Sequence, residues 1–143
     1  PTIPVYLFIV IFFCINLFSA IRHPYGNYYL TLEVQIAAKQ IKEIPGQVIY
    51  LLGAPDILYQ LSGKLPPNYT YVPPLPWYLH QKDFKDRIIS SLEKTNSPVL
   101  VDFQAGIDGK NIVTESGDII KYIKMNYTEG EKIGNFQLFL PKI

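Results

Sequence analysis

Nineteen residues at the start of the chain, Ile3 to Ile21, carry no charged side chain, and this run restricts the possible folds more than any other segment. At about 1.5 Å per helical residue it spans roughly 28 Å, close to the ~30 Å hydrocarbon core of a bilayer. The run reads IPVYLFIVIFFCINLFSAI, with only Asn16 and Ser19 as clear polar interruptions, so it lacks the polar face of a helix in a soluble core. The sequence predicts a transmembrane helix over residues 1–22 and a soluble domain over residues 23–143. The rival is a secretory signal, which needs a basic start and a small residue near its cleavage site; Pro1-Thr2 and Phe18 suit neither. With no initiator Met before it, the helix is read as the last span of a longer membrane protein.

About 120 residues remain after the run, enough for one modest core. Thirteen basic residues stand against twelve acidic ones, so no basic stripe points to nucleic acid. The single cysteine, Cys14, lies inside the apolar run, which excludes disulfides and cysteine chemistry from the soluble part. Arg22 and His23 weakly favour a cytoplasmic flank, but this rule loses force before a long domain.

The order of elements follows from periodicity. From Asn27 to Ile44, Leu30, Val34, Ala37, Ile41 and Ile44 repeat at steps of four and three, the mark of an amphipathic helix, and Pro45-Gly46 ends it. Gln47 to Leu52 reads as a strand buried on both faces, closed by Gly53. A short helix is predicted over Pro55–Leu61, a longer one over Lys82–Lys94, a buried strand over Val99–Phe103 and a turn over Ala105–Asn111. A third helix period runs from Glu115 to Tyr127, and Gly134-Asn135 separates Glu131–Ile133 from Phe136–Leu140 at hairpin spacing. Strands alternating with helices predict an α/β domain: a small, helix-covered, partly parallel sheet with a C-terminal β-hairpin.

Between the short helix and the next long one, Leu61 to Leu79 reads LSGKLPPNYTYVPPLPWYL and holds five of the twelve prolines and the only Trp. Proline restrains such a connection to a stiff, extended path. Tyr69, Tyr71, Trp77 and Tyr78 are candidates for a contact platform or an interfacial belt against lipid headgroups; packing over a sheet edge is the plainer alternative and a ligand site the third. Lys64 and Arg22 are the cations to consider for an anionic headgroup or a pyrophosphate, or else solubilising charges.

Other chemistry is sparse. Gly53 alone makes no phosphate loop. Asp102, at a strand end, reads as local capping. His23 and His80 have no carboxylate or His company at metal-ligand spacing, so no metal, cofactor or catalytic residue is assigned. Asp83 and Asp86 alternate with Lys82, Lys85 and Arg87, as on a solvated face. Asn68-Tyr69-Thr70 and Asn126-Tyr127-Thr128 match the glycosylation acceptor pattern, which matters only in a secretory context.

The order of a membrane helix, PYGNYY opening an amphipathic helix, and VIYLLGAPDILYQLSGKLPPNYTYVPPLPWYL resembles the C-terminal part of bacterial multi-spanning membrane glycosyltransferases that use polyprenyl-phosphate sugars, relatives of protein mannosyltransferases and lipid A aminoarabinose transferases. The resemblance covers nearly the whole chain, is strongest from Tyr50 to Leu79 and is weak after Val113. It implies sugar transfer from a lipid-linked donor to an extracytoplasmic acceptor, with the lipid bilayer, the polyprenyl-phosphate sugar and an upstream membrane domain as partners. It also implies a catalytic acid in an early loop, to which no residue of this chain corresponds. The alternatives are a membrane-tethered α/β binding or interaction module without catalysis, and a domain that mainly stabilises its parent.

Overall fold

The computed structural model describes residues 11–14, 31–67 and 73–142. The chain divides into two compact units, Pro1–Thr31 and Leu32–Ile143. In the first, Ile11 to Cys14 are helical and exposed. The rest of the expected transmembrane helix lies outside the described residues, and among the described residues no helix is long and apolar enough to cross a membrane.

The second unit is a mixed α/β domain with a four-stranded sheet. Helix α1 (Leu32–Glu43) turns Val34, Ala37, Ala38 and Ile41 inward at the predicted spacing. Strand β1 (Tyr50–Leu52) follows, buried on both faces. Helix α2 (Ile57–Ser62), the short α3 (Pro76–Leu79) and α4 (Lys82–Thr95) then lead to β2 (Val99–Asp102). A helical crossover of this kind lets two consecutive strands run parallel, and β1 pairs parallel with β2, with Leu51 opposite Leu100.

Beyond β2, a two-residue hairpin of β3 (Gly106–Ile107) and β4 (Lys110–Asn111) precedes α5 (Ile112–Glu115) and α6 (Gly117–Asn126). The chain ends in a hairpin of β5 (Tyr127–Ile133) and β6 (Phe136–Pro141). Strand β6 lies antiparallel between β2 and β5, giving the order β1-β2-β6-β5. The predicted partly parallel sheet with a C-terminal hairpin is therefore present.

Side-chain alternation along the strands divides the core into two layers. Leu51, Leu100 and Leu138 meet Val34, Ala37, Ile41 and Leu58 on the α1/α2 face. On the opposite face Tyr50, Leu52, Val99, Val101 and Phe139 meet Leu79, Phe84, Leu92, Ile119 and Ile123. Helices thus cover both faces of the sheet.

The structure departs from the sequence expectation in several places. The first strand begins at Tyr50 rather than Gln47. The segment from Ala105 to Asn111 is a hairpin, not only a turn, because Asp108 (φ 52) and Gly109 (φ 75) both adopt the left-handed conformation that suits a tight two-residue reversal. A short helix that no period signalled precedes the expected third one: the Asn111 side chain accepts from Thr114 N at 2.9 Å to start α5, and the buried Ser116 separates α5 from α6. Helix α3 interrupts the connection for which the prolines predict an extended path, with Pro76 in its first turn, where the missing N–H leaves no bond unmade.

Candidate contact surface of the proline-rich connection

The connection between α2 and α4 is fixed at several points. Gly63 (φ 69) ends α2 in the left-handed conformation, and the next residue, Lys64, turns back toward the core. Lys64 is 8% exposed, and its Nζ donates to the carbonyls of Ile44 and Gly46. The ammonium therefore clamps the Pro45-Gly46 turn after α1. One residue on, Leu65 joins the edge of the sheet: Ile49 N donates to Leu65 O at 3.0 Å and Leu65 N to Gln47 O at 2.8 Å. Ser91 Oγ on α4 then donates to Pro67 O at 3.1 Å. Stiffness comes from these anchors as well as from proline.

After Pro73 and Pro74, α3 carries the aromatic residues. Tyr78 is half-buried and packs 5.6 Å from the Phe84 ring, while Trp77, 6.2 Å from Tyr78, is 47% exposed. The Arg87 guanidinium sits 5.9 Å from the Phe84 ring centre, within cation–π range. One helical face thus holds an anchored ring, and the neighbouring face leaves an indole exposed. Of the other candidates, Tyr69, Tyr71 and Arg22 lie outside the described residues.

Sequence spacing missed the polar company of this surface. His80 Nε2 lies 3.3 Å from Glu115 Oε2 and 3.5 Å from Lys110 Nζ. Glu115 is thirty-five positions away along the chain and arrives because α3 packs against α5. No local pattern signals such a pair. The arrangement gathers a carboxylate, an imidazole and an ammonium where α3 meets α5. Among the described residues no group of three His, Cys, Asp or Glu side chains is placed to hold a metal ion.

Asp102 does what its position at the end of β2 suggested. Its Oδ1 accepts from Gln104 N at 2.9 Å and closes a local turn. Burial pushes its carboxyl above the ordinary aspartate value, partly offset by the backbone hydrogen bonds from Gln104 and Ala105. Asp83 and Asp86 remain on the polar side of α4. Across the helices, Lys85 Nζ pairs with Asp118 at 2.6 Å, which holds the Asp118 carboxyl below its ordinary value.

No family model and no curated protein matches the chain. Among solved structures it is similar to the C-terminal globular domain of an oligosaccharyltransferase from Archaeoglobus fulgidus, at 12% sequence identity and a TM-score of 0.47, covering 78% of this chain and 98% of that one.

Proposed function

We propose that this chain is the C-terminal part of a bacterial membrane glycosyltransferase that moves a sugar from a polyprenyl-phosphate donor to an extracytoplasmic acceptor, with the reacting groups outside these residues. The sequence resemblance from Tyr50 to Leu79 supports the assignment, and the apolar run from Ile3 to Ile21 supports the membrane attachment. The observation that carries the role of this domain is the exposed Trp77 on an anchored connection. An indole held this way meets lipid headgroups or a neighbouring protein surface with little ordering of its own. In this reading the connection faces the membrane part of the same protein and shapes the entrance for donor or acceptor. His80 and Lys110 add hydrogen-bonding groups at its border.

Membranes from cells expressing the complete reading frame, supplied with a radiolabelled polyprenyl-phosphate sugar, test both parts. Wild-type membranes transfer label to an extracytoplasmic acceptor. Trp77→Ala lowers turnover several-fold at normal expression, because the exposed ring contributes little to the fold. Wild-type transfer with unchanged Trp77→Ala turnover removes the contact role alone. No transfer by wild type removes the glycosyltransferase assignment and leaves the tethered interaction module.

A further inference from the structure

On another surface of the domain, the C-terminal ends of α4 and α6 border an open cleft of about 360 Å³, within the usual range for small-molecule sites. Tyr122 and Tyr127 form one wall, with ring centres 6.2 Å apart at an edge-to-face angle of 64°. Tyr127 is 4% exposed, and its hydroxyl is buried without a hydrogen-bond partner among the described residues. Burial pushes that phenol up to about 12, so it stays protonated inside the wall, out of a ligand's reach. Glu93 and Asn96 contribute from the end of α4 and Asn126 from the end of α6. The Asn126 amide nitrogen donates to Tyr122 O at 3.0 Å, which leaves its amide oxygen as an acceptor.

Charge narrows the ligand class. Glu93 and Lys142 bring one charge of each sign, and Lys142 Nζ is already engaged with Met125 O at 2.7 Å at the negative end of α6. A net-neutral lining of phenols, amides and one carboxylate suits a ligand that is itself uncharged and rich in hydroxyls. We propose that this cleft binds a neutral polyhydroxylated ring, a pyranoside, with its C–H face against Tyr122 and its hydroxyls paired by Asn96, Asn126 and Glu93. The proposal rests on this cleft alone and stands apart from the contact surface around Trp77.

The test uses the ¹⁵N-labelled full chain in an acrylate amphipol, which carries neither sugar nor quaternary ammonium. Methyl glycosides of glucose, mannose and galactose are titrated separately, with glycerol and tetramethylammonium chloride as comparisons. At least one glycoside shifts the amide signals of Asn96, Asn126 and Tyr122 saturably in the millimolar range, and Tyr122→Leu, which removes the stacking face, weakens that binding ~5-fold or more while keeping the folded spectrum. Glu93→Gln, at an exposed position, weakens the same glycoside and serves as a second variant. The proposal is overturned by no saturable shift up to ~100 mM of any glycoside. Equal responses to glycerol or tetramethylammonium, or wild-type affinity in both variants, also overturn it.

Discussion

A lysine ammonium withdrawn from water must find oxygens to replace that water, and Lys64 finds two backbone carbonyls. Both belong to the reversal after α1, where Ile44 and Gly46 have no helical continuation to pair them. Lys64→Met keeps most of the aliphatic stem but leaves the two carbonyls without their donor. The expected loss is about 2 kcal/mol, seen as a drop in thermal midpoint of roughly 8 °C. Thermal unfolding followed by circular dichroism checks this, and an unchanged midpoint refutes the clamp. The sequence marked Lys64 as notable but not for this reason, because its partners lie eighteen and twenty residues upstream. Chain spacing carries no sign that a turn and a later lysine will meet.

At the scale of elements, Gly53 follows directly on β1 and approaches the turn after β2 more closely than any side chain allows. A Cβ there falls 2.7 Å from the Ala105 Cβ and 3.2 Å from the Asp102 carbonyl, at a φ of 77° that only glycine adopts freely. Gly53→Ala is therefore expected to destabilise the domain by about 3 kcal/mol, measured by urea unfolding, with the strain and the clash adding. The elements themselves were largely legible. Val34, Ala37 and Ile41 announced α1, and the unbroken apolar runs at Tyr50–Leu52 and Val99–Val101 announced strands covered on both faces. What failed was local chemistry inside non-periodic segments. Helices α3 and α5 have four residues each, too few to show a period, and α5 starts on the Asn111 cap. The edge strand β5 extends past its expected start, and a bulge between Glu129 and Lys132 breaks the alternation that would have shown it.

Across the whole molecule, the candidate surfaces were less legible than the fold because each joins elements distant in sequence. The aromatic connection was visible as composition, but His80 with Glu115, and Tyr127 with Glu93, exist only once the helices pack. The same packing removes tyrosine hydroxyls from water. Tyr50 lies 4% exposed in the layer beneath α4 and α6, its hydroxyl without a partner among the described residues. Burial, with a smaller contribution from Tyr59, pushes its phenol well above the ordinary value of 10, and burial likewise raises Tyr122 and Tyr127. A folded-state value above the unfolded one means that the unfolded chain releases its protons first as pH rises. These groups therefore leave stability untouched below about pH 10 and erode it above, with Tyr50 alone contributing a slope of about 1.4 kcal/mol per pH unit. Urea unfolding between pH 8 and 11.5 should show a flat region and then a steep alkaline fall. Tyr50→Phe should match the wild type or exceed it at neutral pH, since the lost hydroxyl bonds nothing among the described residues, and its alkaline fall should be shallower by that slope. An identical alkaline limb in the two proteins would mean that Tyr50 does not remain protonated in the folded sheet.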